Sequence, residues 1–256
     1  MNNISINTRV LPALTTALIV GLSLSGAAQA TLINRGGGLI YDSTLNVTWL
    51  QNADLAGDDN FGVSGISSFG AMSWNTANQW IGAINKADYL GYSDWRLPTT
   101  APVNGSTFNH TFSYNGSTDY GYSISAPGTV YAGSKGSEMA YLFYNELGGK
   151  AEFDTSGTFQ GTLAVTGPFL NVSSSAYWSG TEYAPGSGSA WDFNTGIGLQ
   201  GALDKGLGLY AWAVRPGDVP AVPEADTWAL LLAGLGLMGV VAKQADFTNQ
   251  LNLFDF

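Results

Sequence analysis

An uncharged apolar run from Trp228 to Ala242 constrains this chain more than any other stretch. It reads Trp-Ala-Leu-Leu-Leu-Ala-Gly-Leu-Gly-Leu-Met-Gly-Val-Val-Ala and leaves no polar face. Such a segment cannot stand in water as a lone helix; it must enter a protein core or a bilayer. A membrane span needs about 20 apolar residues, so the run is short, and a buried core helix is the alternative to a membrane helix. Pro223-Glu224 breaks the chain just before it, inside a linker at 218–227, and a tail at 243–256 follows. The break favours a membrane-directed segment hung on a domain.

The other end points to export. Arg9 is the only charge before an apolar stretch from Val10 to about Leu24, and Ala28-x-Ala30 closes it with small residues. That is the three-part layout of a secretory signal at 1–30, cut by signal peptidase to leave a chain starting at Thr31.

Between the two ends, residues 31–217 suit one domain of roughly 100–200 residues. With 34 Gly, 12% aromatic and 11% charged residues, the chain predicts a turn-rich fold anchored by large rings. The absence of Cys excludes disulfides, thiolate metal sites and Cys nucleophiles. A formal net charge of −10 argues against nucleic acid as a partner, because phosphate binding draws on Lys and Arg.

Periodicity predicts an α+β domain. Leu39–Asp42 and Val47–Leu50 read as paired strands around a turn at 43–46. Ser73 is placed to cap a helix from Trp74 to about Ala87, with Trp74, Ala77, Trp80, Ile81 and Ile84 on one face. A second helix is expected from about Ser137 to Leu147, with Gly148 just beyond it. Ala176–Ser179 reads as a strand, and Ala190–Phe193 with Leu199–Leu203 as a hairpin. Leu209 to Arg215 alternates like a half-buried strand. Residues 100–136 are rich in Gly, Ser, Thr, Asn and Tyr; they read as an inserted, exposed loop or hairpin pair that buries little.

Several of these segments together resemble the Lcl C-terminal domain family. They are Leu39-Ile40-Tyr41-Asp42, Val47-Thr48-Trp49-Leu50, Asp94-Trp95-Arg96-Leu97-Pro98-Thr99, Tyr177-Trp178-Ser179-Gly180-Thr181-Glu182 and Ala213-Val214-Arg215-Pro216. The resemblance implies a C-type-lectin-like fold of twisted antiparallel sheets with two helices, and a role in surface adhesion or glycan binding. It brings no catalytic residues. The segment from Pro223-Glu224 through 228–242 resembles a PEP-CTERM sorting signal, which implies processing by a membrane-bound sorting protease and residence in the cell envelope or extracellular matrix.

Four tyrosines of the insertion, Tyr114, Tyr120, Tyr122 and Tyr131, are the candidate contacts for a cell-surface or extracellular polysaccharide, since Tyr supplies amphipathic area at low entropic cost. Trp95, Trp178, Trp191 and Trp212 read as core, with sugar stacking as the alternative. Arg96 and Arg215 are expected to pair with carboxylates such as Asp94 or Glu182, or to cap backbone carbonyls. Asp54, Asp58 and Asp59 lie in a Gly/Asn-rich loop that could offer oxygen ligands to calcium, the only cofactor the sequence suggests. The only histidine, His110, sits in the insertion, where a solvated polar loop is a poor platform for a general base. No catalytic residue is nominated, and the chain reads as a binding or adhesion protein. A polysaccharide-modifying enzyme and a passive matrix component are the two rivals.

Overall fold

The computed structural model describes residues 31–162 and 165–221. Ala28, Ala30, Pro223, Glu224 and both apolar terminal segments lie outside the described residues. Among the described residues no helix is long and apolar enough to cross a membrane.

The architecture is α+β, with two sheets and few helices. Strands β1 (Leu32–Gly36), β2 (Leu39–Asp42), β3 (Val47–Leu50) and β9 (Val214–Pro216) form an antiparallel sheet in the order β1-β2-β3-β9. The β2–β3 turn is fixed locally: Asp42 Oδ1 accepts from the N–H groups of Thr44 and Leu45 at 3.0 and 2.9 Å. This aligns Ile40 with Trp49 across the ladder, and both are buried.

The second sheet has the order β4-β5-β8-β7-β6. Its centre is the meander β6 (Ala176–Glu182), β7 (Ser189–Asn194) and β8 (Leu199–Asp204), close to the strands expected from sequence. The insertion supplies the rest. β5 (Tyr120–Tyr122) pairs antiparallel with β8, and β4 (Phe112–Ser113) runs parallel to β5. The expectation of an exposed insertion that buries little is therefore corrected. Asp119, Ile124 and Ser125 are fully buried, and Val103 and Tyr122 nearly so.

Helix α1 is a single turn, Leu55–Asp58. Helix α2 (Trp74–Lys86) starts at Ser73, whose hydroxyl accepts the Thr76 N–H at 3.2 Å, and buries Ala77, Trp80, Ile81 and Ile84. Helix α3 (Glu138–Tyr141), capped by Ser137, widens into a π turn at Leu142–Glu146 instead of continuing as the regular helix expected to Leu147. Across that wide turn three successive large side chains, Leu142, Phe143 and Tyr144, all stay buried.

The segment Leu209–Ala213 does not alternate as a half-buried strand. Ala211, Trp212 and Ala213 are all buried, because the segment threads between structural layers and is covered on both sides. Its backbone bonds to Met72, Trp178 and Leu50 in turn, at 2.8, 2.9 and 3.0 Å, so it ties the two sheets together. Trp49, Trp80, Trp95, Trp178, Trp191 and Trp212 are all buried. Several of their indole N–H groups hold backbone carbonyls: Trp178 holds Met72 at 2.9 Å and Trp212 holds Leu50, at the end of β3, at 2.8 Å. These rings thus fill the core and tie backbone segments at once, while the indole N–H groups of Trp49 and Trp191 have no partner among the described residues.

Candidate functional site

A group of partly exposed aromatic rings lies on the insertion and on a hairpin that meets it. Phe153 and Phe159 pair across a turn built on Asp154, whose Oδ1 accepts from the N–H groups of Ser156 and Thr158, both at 2.9 Å. The Ser156 hydroxyl adds a third bond to the same oxygen, and these bonds hold the Asp154 carboxyl below its ordinary range. The turn is therefore rigid, and Gly157 within it meets the insertion.

Tyr114 lies against that glycine. A β-carbon on Gly157 would come 3.1 Å from the Tyr114 ring. Tyr114 also stacks on Tyr122, with centroids 5.8 Å apart and planes within 3° of parallel. Tyr122 is itself 6% exposed and donates to Glu152 Oε2 at 3.3 Å. Burial first, and then the neighbouring Glu152 charge, push its phenol up to about 12, so it remains a neutral donor. Phe112 meets Tyr114 edge-on at 5.0 Å, and Phe153 is tilted against it at 5.6 Å. The outer rings stay in water: Phe112 is 44%, Tyr114 36% and Phe159 65% exposed. The same hairpin, with Ser123 and Tyr144, also lines a polar pocket of about 290 Å³ that includes Lys150, Asp154 and Gln160.

The four tyrosines expected as contacts separate here. Tyr114 presents an exposed ring. Tyr122 is buried and supports it. Tyr120 is half-buried between Phe112 and Trp191, at 6.1 and 6.3 Å. Tyr131 is half-buried against the core. Sequence reasoning did not single out Phe112, Phe153, Phe159 or Gly157. The signal for the last three was present: two Phe flank Asp154-Thr155-Ser156-Gly157-Thr158, a turn sequence with a side-chain-bonding Asp and a Gly.

The three aspartates proposed for calcium face different partners. Burial raises the Asp54 carboxyl to about 6, against a bond from the Gly57 N–H and with the help of the Asp58 charge. Asp58 accepts from the Asn52 amide at 2.7 Å, and Asp59 accepts from the Phe61 N–H at 2.8 Å. Asp58 and Asp59 line a polar pocket of about 290 Å³ with Asn60 and Ser67. Among the described residues no three His, Asp or Glu side chains gather as a metal-holding group.

His110 is not the solvated side chain expected. Its ring stacks on Trp191 at 5.7 Å and meets Tyr183 edge-on at 4.8 Å, with Nδ1 buried and unpartnered among the described residues. The arginines do pair with carboxylates, and Arg215 takes Asp94 as expected, at 2.7 and 2.9 Å. Arg96 instead takes Glu138, while Glu182 pairs with Lys205 at 2.8 Å. The Asp94–Thr99 motif is a clasp: Asn85 holds the Trp95 backbone from both sides, at 2.7 and 2.8 Å, and Pro98 O receives Gly180 N–H at 2.8 Å.

These motif segments coincide with a match to the Lcl C-terminal domain over residues 38–215, and the chain belongs to that family. No curated protein and no solved structure matches it.

Proposed function

We propose that this is an exported, envelope- or matrix-associated protein whose domain binds glycan. In this reading the two sheets and the helices beside them form a C-type-lectin-like fold, and the site binds sugar without transforming it. The observation that carries it is the Tyr114 ring, 36% exposed and packed against Tyr122 and Gly157. A ring fixed on its support loses little entropy when an apolar sugar face stacks on it. The nearby polar groups suit hydroxyls, and membership of the Lcl C-terminal domain family supports a surface role. The secretory layout at 1–30 and the Pro223-Glu224 segment before the apolar run support delivery to the envelope.

A glycan array read with the full-length chain and with Tyr114→Ala tests this, each with and without calcium. Binding by the parent chain and its loss in a variant of unchanged melting temperature is the expected result. An array on which the two proteins behave alike overturns the assignment.

A further inference from the structure

The polar pocket beside the Asp154 turn is held by strained backbone. Ser123 in its wall and Ser125 just beyond take left-handed φ angles of +58° and +67°, which a serine rarely adopts. Tyr144 and Asn145, adjacent in the π turn, hold both serines in place. The Tyr144 hydroxyl donates to the Gly198 carbonyl and accepts from the Ser123 N–H at 3.0 Å. The Asn145 amide donates to the Ser125 carbonyl and hydroxyl, both at 3.0 Å. Left-handed non-glycine residues and π turns both collect at binding sites, and here the two coincide.

The lining keeps polar groups in reserve. The three bonds to the Asp154 side chain all fall on Oδ1, which leaves Oδ2 without a partner among the described residues. Gln160 uses its amide N–H on Ala151 O at 3.1 Å and keeps its carbonyl oxygen. The four ion pairs among the described residues all lie elsewhere, so Lys150 and Asp154 line one pocket without pairing to any other charge. A sugar hydroxyl both donates and accepts, so a cationic donor and an anionic acceptor in one lining suit hydroxyls on neighbouring carbons. The two charges also offset each other, which favours neither an acidic nor a basic ligand.

We propose that this pocket takes the end sugar of an uncharged glycan chain, with the next sugar stacked on Tyr114. The inference rests on the glycan reading of Tyr114 and deepens it by naming the part of the chain that is bound. Size limits the occupant: about 290 Å³ is the liquid volume of about ten waters, room for one sugar ring and not for a stretch of polymer. Position supplies the link. Asp154 lines the pocket, Gly157 packs against Tyr114, and the Gly157 N–H donates to Asp154 O at 2.9 Å. The two residues are thus the ends of one β-turn, with Cα atoms within about 7 Å of each other. A chain can step from pocket to ring across that single turn.

The test uses full-length protein in mild detergent with three neutral series, β-1,4-glucan, β-1,3-glucan and xylan, each as monosaccharide, short oligomers and polymer. Alginate oligomers are the acidic control. For at least one neutral series, competition is expected to follow the number of chain ends, so that at equal mass a trisaccharide outcompetes its polymer. Lys150→Met, which keeps the stem and loses the donor, should weaken the trisaccharide about two- to tenfold, as loss of one hydrogen bond does. Thr155→Phe, at an exposed position of the lining, should obstruct the pocket and weaken it more. Both variants are checked for an unchanged melting temperature. Monosaccharide binding, read by saturation-transfer NMR, should survive Tyr114→Ala and be lost in Thr155→Phe. Competition that follows polymer mass, with Lys150→Met and Thr155→Phe silent, overturns the pocket and leaves Tyr114 stacking on an internal sugar. Loss of the monosaccharide in Tyr114→Ala alone places the end sugar on the ring and also overturns it. Tighter binding of alginate oligomers refutes the uncharged class. Failure of all three series to bind the parent chain removes both readings.

Discussion

The Arg96 guanidinium and the Glu138 carboxylate meet fork to fork, with both N–O distances at 2.7 Å. Glu138 also accepts from the Thr99 N–H at 2.7 Å, so one carboxylate joins the Asp94–Thr99 clasp to the start of α3. Glu138 is buried while Arg96 keeps part of its side chain in water. Removing one partner of a buried pair strands the other charge, typically at about 3–5 kcal/mol, and Arg96's exposure favours the low end. Glu138→Ala is expected to lower unfolding free energy by about 3 kcal/mol in urea titration, and Glu138→Gln, which keeps the shape and an acceptor, by clearly less. Equal stability for all three proteins would show the clasp to be energetically idle.

Asp119 plays the corresponding part for the insertion. Its two carboxylate oxygens accept from Val103 and Asn109 N–H groups at 2.7 and 2.6 Å, and its carbonyl accepts from the Gln200 amide at 2.7 Å. Asp119→Ala leaves two backbone donors without partners, each costing about 1–3 kcal/mol if it stays buried. The loop can recover that cost only by moving into water. Limited proteolysis should therefore cut the variant between Val103 and Thr118 much faster than the parent, while α2 and the β2–β3 hairpin stay protected from hydrogen exchange. Identical cleavage rates would show that the anchor is dispensable.

These two carboxylates also mark where the sequence is legible. The cap at Ser73, the α2 face from Ala77 to Ile84 and the buried tryptophans follow from local rules, namely spacing, a hydroxyl before a helix and ring size. The strands of the β6–β8 meander were readable for the same reason. Partner choice was not. Glu138 lies 42 residues from Arg96, and nothing near either residue names the other. The insertion misled because its composition is that of a loop. Its burial comes from Asp119 and from a strand pairing with β8, both tertiary events. Tyr114 was singled out from residue type alone, and the support beneath it, Tyr122 and Gly157, appears only once the hairpin folds onto the insertion.

Asp192, on the central strand β7, has a different consequence. It is buried, its Oδ1 has no partner among the described residues, and burial raises its carboxyl to about 7. Across the ladder a β-carbon on Gly201 would lie 3.1 Å from that oxygen, so the glycine leaves the carboxyl its space. A raised acid pKa means that the folded state holds the proton more tightly than the unfolded chain, where the carboxyl titrates near about 3.9. This group's contribution is therefore full below about pH 4, declines as pH rises towards about 7, and is lost above that. Asp192→Asn removes the titration. The stability of the parent minus that of the variant should fall by a few kcal/mol between these limits and be flat on either side. A difference independent of pH would mean that Asp192 is ionised in the fold. Taking the difference cancels the opposite trend from carboxylates with lowered values, such as Asp218 beside Arg35.

Gly157 offers the sharpest separation of fold from site. The residue has a φ of +84°, and an added β-carbon would stand 3.1 Å from the Tyr114 ring. Alanine there carries both a left-handed backbone cost of about 1 kcal/mol and a push on the ring. The turn itself is held by the Asp154 bonds and lies at the surface, so the domain should tolerate the change with a melting temperature lower by only a few degrees. Tyr114, however, is pushed out of its place against Gly157 and Tyr122. Gly157→Ala should therefore weaken glycan binding nearly as much as Tyr114→Ala does, although no sugar need touch residue 157. Affinity that survives in Gly157→Ala while failing in Tyr114→Ala would show that the ring binds without its backing, and that its fixed pose is not what recognises the sugar.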